Sequence, residues 1–401
     1  MHEATCTTAA EGLIRDFAAR TGVSTPDLAG RPGPRYLWTD AFAVFALLGL
    51  NERTGEAVYL DWASRLVRQV HEGLGRHRAD DPRTGWISRL PDEEGRRHPT
   101  RGGLRIGKRL PERGASDPFD ERLEWERDGQ YFHYLTKWMH ALNRVTLATG
   151  DPTFNAWAVE LADVAHRSFR REAPDGTPYL AWKMSIDLSR PLVPSTGQLD
   201  ALDGFVTIAV LQATEGATSA GSGGDLSRAR ADLRRMCDNA TWITSDELGI
   251  GGLLTEVGHL ARLTAAGQVD DPAILDTVLL DAERSLRMYS VDHRLHAQAQ
   301  SRLAFRELGL SIGLRSIGQL RESIAQNPGR FARGDSLTER LDGIRRYQPL
   351  VDHIESFWLD PANRATATWE EHRDINSVML ATSLVPDACL ELDPAVALEE
   401  E

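Results

Sequence analysis

The sequence predicts an all-α chain whose helices lie in two layers, and three observations carry that expectation. Alternating period-two segments, the mark of half-buried strands, are nearly absent. Helical patterns recur along the chain and are cut by turn signals: ATGDPTF at 148–154, GATSAGSGGD at 216–225, AAGQVDDP at 265–272 and NPGRFARGD at 327–335. The helices are also of two kinds that alternate.

Helices are expected near 7–20, 36–50, 57–74, 130–149, 152–171, 196–213, 225–243, 248–266, 272–289, 302–321, 335–358 and 367–384. Some are amphipathic. In 152–171, Phe154, Trp157, Leu161, Val164 and Ser168 share a face, with Glu160, Asp163, Arg167 and Arg170 elsewhere. In 272–289, Leu275, Val278, Leu279, Ala282, Leu286 and Tyr289 do the same. Such a helix buries one stripe and wets the other. Others are apolar nearly all round: FAVFALLGL at 42–50, FVTIAVLQA at 205–213 and much of GIGGLLTEVGHLARL at 249–263. A helix with no solvent face must be enclosed by its neighbours.

Outer amphipathic and inner enclosed helices in alternation, twelve in all, make six hairpins. This pattern resembles the six-hairpin, (α/α)6-toroid, glycosidase-like superfamily. The resemblance is architectural and spans 1–401 as a single domain, with a long insertion at 75–124 between the third and fourth helices. It implies an inner ring of helices around a pocket, with functional residues at the starts of inner helices. An α-solenoid would alternate similarly, but no repeat of fixed period is present.

Composition narrows the function. With 46 Lys and Arg against 59 Asp and Glu, the net charge of −13 argues against nucleic-acid binding, which needs a basic face. Cys6, Cys237 and Cys389 are odd in number, widely spaced and without metal-ligand spacing, as suits a reducing compartment. The first residues show no secretory pattern, and the longest apolar run, AFAVFALLGL at 41–50, is about half a membrane span. A cytoplasmic protein with no membrane partner, no metal and no cofactor is expected; a homo-oligomer is compatible with the sequence.

The densest stretch is LEWERDGQYFHYLTKWMHAL at 123–142, where Trp125, Glu126, Asp128, Gln130, Tyr131, His133 and Tyr134 crowd one helix start. Similar starts recur. PRYLWTDAF at 34–42 supplies Tyr36, Trp38 and Asp40. The run 178–204 supplies Trp182, Lys183, Gln198, Asp200 and Asp203, and ATATWEEHRDINSVML at 365–380 supplies Trp369, Glu370, Glu371, His372, Arg373 and Asp374. An acid at one helix start is ordinarily a cap, and Asp200, Asp203 and Asp374 read that way singly. Four starts that join aromatics to carboxylates instead suit a sugar, whose C–H faces stack on rings while acids and amides bond its hydroxyls.

Glycoside hydrolysis needs two carboxylates, one protonated as acid and the other as base or nucleophile. The expected pair is Asp128 or Glu126, beside Trp125, with Glu371 or Glu370, beside Trp369; Asp40 is held in reserve. A neighbouring indole would desolvate an acid and raise its pKa. Tyr36, Trp38, Trp125, Gln130, Tyr131, His133, Trp182, Lys183, Gln198, Asp203, His259, Trp369 and Arg373 are the expected substrate contacts. A rival chemistry moves a proton at a sugar carbon. Toroidal sugar epimerases and isomerases use two histidines, and the Gly-His pair at 258–259 is similar to that family's eighth-helix motif, with His372 as the second. Arg262 stands where that motif has an acid, and Arg373 and Asp374 where it has Pro-Arg. A non-catalytic helical scaffold or binding protein is the third reading.

From Arg96 to Arg113 the insertion carries seven Lys and Arg and one acid, Glu112. GGLRIGKR at 102–109 fits G-x-x-x-x-G-K, yet Arg109 replaces the magnesium-binding hydroxyl and no strand precedes it, which excludes a phosphate loop. The insertion is expected to act as a lid, its basic residues suited to an anionic substituent of the carbohydrate such as a uronate or phosphate.

Overall fold

A computed structural model describes residues 3–25, 34–218, 226–238, 240–289, 294–331 and 334–392. Residues 219–225 of the Gly/Ser break, 225 and 239 of the helix expected at 225–243, and 332–333 of the break at 327–335 lie outside them. The chain divides into two compact units, one of residues 18–44 and 57–239, the other of 1–17, 45–56 and 240–401. The helices α1 (Glu3–Thr21) and α2 (Leu37–Thr54) each contribute to both. As its composition requires, α2 is buried without a break from Leu37 to Leu50.

The unit 18–44 and 57–239 contains α3 (Ala57–Leu74), α4 (Phe132–Thr149), α5 (Thr153–Phe169), α6 (Asp200–Thr218) and α7 (Ser227–Met236). Amphipathic α3 buries Tyr59, Trp62, Leu66, Val67 and Val70, a stripe at spacings of three and four. The antiparallel pair α4 and α5 is pinned where they turn: Thr146 Oγ1 donates to the Asp151 carbonyl and accepts from the Asn155 amide. Deeper, Asn143 donates to both Asn155 and Thr214 of α6. Among the described residues, four short strands decorate this unit. The strand β1 (Gln130–Tyr131) pairs antiparallel with β4 (Lys183–Met184), and β2 (Arg170–Glu172) with β3 (Pro178–Leu180). Residues 130–131, expected as the first turn of the fourth helix, are therefore extended, and α4 begins at Phe132.

The insertion is a bonded wall. It holds two short helices, Asp92–Arg97 and Glu121–Glu126, and turns that are tied to the helices beneath. Thr100 bonds the Trp157 carbonyl and Glu160, the Trp157 indole returns a bond to the Arg97 carbonyl, and Trp86 is buried.

In the other unit, α8 (Glu247–Ala265) and α13 (Arg373–Leu384) are buried nearly all round, α9 (Pro272–Tyr289) and α11 (Gly334–Arg345) on one side, and α10 (Ala304–Gln326) packs along α8, where Ser316 Oγ donates to the Leu254 carbonyl over 2.8 Å. The helix expected at 335–358 is two, because α12 (Pro349–Leu359) starts at a proline, which has no N–H to continue α11. The helix expected at 367–384 is likewise broken at His372, between Ala367–Glu371 and α13. Buried charges here are paired: Glu355 accepts from Arg315, Ser311 and Ser383, and Glu307 from Arg302 and the Trp358 indole. Among the described residues no helix is long and apolar enough to cross a membrane.

Candidate functional site

The unit 18–44 and 57–239 gathers an aromatic cluster from three distant segments. Tyr36 and Trp38 come from the start of α2, Trp125, Tyr131, His133 and Tyr134 from the approach to α4, and Trp182 from the loop beside β4. Trp38 stacks on Phe42 at 5.1 Å and meets Tyr134 at 5.3 Å and His133 at 6.0 Å. The Tyr36 and Tyr134 hydroxyls share a 2.6 Å hydrogen bond. Tyr131 and His133 lie 5.2 Å and 6.2 Å from Trp182, which Trp125 meets edge-on at 5.0 Å. Trp125 is 47% exposed, an uncommon position for an indole and a ready contact for a ligand.

Two acids sit beside these rings on the first turn of α6. Asp203 is an ion-pair partner: it accepts from Thr136 at 2.6 Å and from Lys137 at 2.9 Å. Asp200 is different. Its carboxyl is buried, Oδ2 has no hydrogen-bond partner, and the approach of His133 Nδ1 to Oδ1, 3.6 Å, is outside hydrogen-bond reach. Burial, reinforced by the charge of Asp203, pushes its pKa well above that of a free carboxyl and favours the protonated form. Burial likewise lowers His133 to about 4 and keeps the ring neutral. The space that Asp200 fills exists because residue 197 is glycine; a Cβ there would lie 2.2 Å from the carboxyl.

Asp200 was legible as a cap, and that reading is corrected. Asp120, Asp246 and Asp360 do cap, each accepting a backbone N–H at the start of its helix. Asp200 accepts none. Only the pairing QLDALDG, with acids three apart after a Pro/Ser/Gly loop, hinted at more.

Asp128, the first choice for catalysis, is fully buried in a different environment. It accepts from Arg105 at 2.6 Å, Arg78 at 3.4 Å, and the amides of Gly107, Lys108 and Gly129. Every lone pair is engaged, so Asp128 anchors the insertion. Gln130 joins Leu104, Gly102 and Ile186, again a strut. Lys183 donates to the Glu124 carbonyl and carboxylate and the Arg127 carbonyl. Asp40 accepts the Tyr36 amide and pairs with Arg35. Glu126 and Gln198 are exposed.

The remaining expected residues belong to the other unit. Trp369 is 3% exposed and stacks on Trp358 at 5.6 Å, a core position. Glu370 and Glu371 are exposed, Arg373 pairs with Asp16 and Glu370, and His372 meets Phe305 edge-on. Trp369, Glu370 and Arg373 line a groove of 530 Å³ with Asp16 and Arg364. His259 is buried, with Nε2 at 3.3 Å from the Cys389 carbonyl. Among the described residues no cluster of His, Cys, Asp and Glu could hold a metal.

No family model matches the chain, and no curated protein matches it. Among solved structures, the chain is similar to an inactive variant of an α-1,6-mannanase of Salegentibacter in complex with α-1,6-mannotriose, at 13% identity over 96% of this chain and 100% of that one, with a TM-score of 0.51. Another structure of that mannanase matches at 15% identity over 96% and 100% with a TM-score of 0.48. The cellobiose 2-epimerase of Spirochaeta thermophila matches at 11% over 94% and 98% with a TM-score of 0.46. The likeness to the first mannanase structure covers 96% of this chain and shows the fold: an all-α (α/α)6 arrangement.

Proposed function

We propose that the chain is a carbohydrate-active enzyme that cleaves a glycosidic bond, with Asp200 as proton donor and Asp203 as the second, charged carboxylate. The observation that carries this is the unpaired buried carboxyl of Asp200 beside an ion-paired Asp203, under a cluster of aromatic rings. An acid catalyst at neutral pH needs a carboxyl that stays protonated, and apolar burial near a like charge supplies it. A saccharide lying on Trp125, Trp182 and Tyr131 would turn its glycosidic oxygen toward Asp200. Proton transfer to that oxygen would release the leaving sugar, and Asp203, restrained by Lys137 and Thr136, would stabilise or attack the oxocarbenium-like centre. Water, giving a proton to the Asp200 carboxylate, would then add its hydroxyl to the anomeric carbon and restore both acids. The mannanase of similar fold is described in its inactive form, which carries asparagine in place of two aspartates.

The test is a reducing-sugar assay on neutral and acidic oligosaccharides, α-1,6-mannotriose included, with wild type, Asp200→Asn and Asp203→Asn. Cleavage of at least one substrate is expected, with each variant slower by about 10²–10⁴-fold while ligand still raises its melting temperature. Full activity in Asp200→Asn would remove the proton donor from the proposal, and conversion of a sugar to its epimer without cleavage would replace it.

A further inference from the structure

Most strongly buried charged side chains in this unit are paired; Lys108 is half-buried and is not. Its ammonium lies 5.5 Å from the Tyr36 ring centroid and makes no hydrogen bond or ion pair among the described residues. Burial lowers its pKa below that of a free lysine. Lys183, 5.5 Å from the Tyr131 ring on the same cluster, shows what a settled lysine looks like, with three oxygen acceptors. A cation taken partly out of water without a partner is costly.

The backbone carrying Lys108 is held with unusual care. Its carbonyl accepts from Arg78 at 2.6 Å and its amide faces Asp128 Oδ1 at 3.3 Å. Gly107 before it stands at φ +93°, where a Cβ would lie 2.0 Å from the Arg35 carbonyl oxygen. Asp128 is fixed in turn by Arg105. The buried ion-pair network thus ends in one product, a lysine side chain fixed at its root and unpaired at its tip.

The charges around that tip are accounted for. Asp128 is neutralised by Arg105 and Arg78, and Glu124 by Arg113 and Lys183. Glu126 is attracted to the ammonium from an exposed position, where solvent screens it. We propose that Lys108 is a specificity determinant, and that the saccharide bound here carries an anionic group, a carboxylate or a phosphate ester, on the sugar unit that lies over Tyr36. This rests on the carbohydrate reading above. From Lys108 the contacts run through Tyr36, Tyr134 and His133 to Asp200, so the charged unit lies away from the bond that is cleaved.

Calorimetric titration of the full chain carrying Asp200→Asn, which leaves the ligand intact, tests this. The probes are a glucuronate-terminated trisaccharide, its glucose-terminated counterpart of identical linkage, and the 6-phosphate of the latter. The acid should bind at least tenfold more tightly than the neutral sugar, with an advantage that shrinks as salt is raised. Adding Lys108→Met, which keeps the aliphatic stem over Tyr36, should weaken the acid at least tenfold and the neutral sugar at most threefold; Lys108→Arg should retain the preference. A stronger response to the phosphate identifies the phosphate ester as the group, and a stronger response to the uronate the carboxylate. Equal binding of charged and neutral sugars, or an equal loss of both in Lys108→Met, overturns the role of Lys108 and leaves the carbohydrate site standing. Binding of none of the three overturns both.

Discussion

Asp128 and Asp200 are both fully buried aspartates in the same unit, and they teach opposite lessons. Asp128 is surrounded by donors: two guanidiniums and three backbone amides. Its charge is satisfied where it sits. Asp200 has none of this, and burial raises its pKa because no donor stabilises the anion. A satisfied buried charge holds structure together, whereas an unsatisfied one is a cost that a fold retains where chemistry uses it. Burial alone therefore does not mark a catalytic acid; the lack of partners does.

The sharpest way to break this contrast is to remove each carboxylate. Asp200→Asn should lower kcat by about 10²–10⁴-fold with no loss of melting temperature, since the neutral amide replaces a neutral acid of the same shape. Asp128→Ala should do the reverse, costing about 3–5 kcal/mol of stability because Arg105 is left buried without its anion. Denaturant titration and steady-state kinetics on both proteins check the pair. If Asp128→Ala is stable and inactive, the two roles are exchanged.

The amino-acid pattern made some of this legible. The alternation of enclosed and amphipathic helices follows from local periodicity, which survives folding; the breaks at Pro349 and His372, which raise the helix number above twelve, did not show in it. The cluster of Tyr36, Trp38, Trp125, Tyr131, His133 and Trp182 was visible because aromatic density is itself local. What was hidden depends on partners distant in sequence. Asp128 looked like a catalyst because Arg105 and Arg78 are 23 and 50 residues away. Trp369 looked like a sugar platform until Trp358 covered it. A capping aspartate and Asp200 are the same letter before a helix; they differ only in whether an N–H reaches the carboxyl.

Acidity sharpens the contrast further. Because the folded state holds the Asp200 proton and the unfolded chain releases it near 3.8, the stabilisation is complete below that pH and is lost as pH rises through the raised folded value. The melting temperature of Asp200→Asn relative to wild type should therefore climb steadily from pH 4 upward. His133 has the opposite sign: held neutral down to about 4, it withdraws stability as pH falls from 6.5 toward that value. His133→Gln should flatten that acid limb. A difference between wild type and Asp200→Asn that does not change with pH would mean the carboxyl is charged in the fold.

Gly197→Ala probes the same carboxyl without altering it. A methyl there would meet Asp200 at 2.2 Å, so the side chain must turn away from the packed position it now occupies. Misplacing a proton donor by an ångström costs on the order of 10²-fold, and the loss should fall on kcat, with KM little changed.

The smallest effect should come from the rings, and it separates holding a substrate from transforming it. Trp182 lies between Trp125, which stands exposed, and Tyr131 and His133, which lie deeper. An indole has no acid or base to offer near neutral pH, so its contribution is contact area and orientation. Aromatic contacts of this kind are worth about 0.5–1.5 kcal/mol beyond simple burial, a factor of roughly 2–13 in affinity. Trp182→Ala should accordingly raise KM by that factor and leave kcat nearly unchanged, the signature of binding shared equally by ground and transition states. Trp182→Phe, which keeps a ring in place, should recover most of it. A fall in kcat comparable to that of Asp200→Asn would show that the indole sets the proton donor's environment as well, and the division between platform and acid would have to be redrawn.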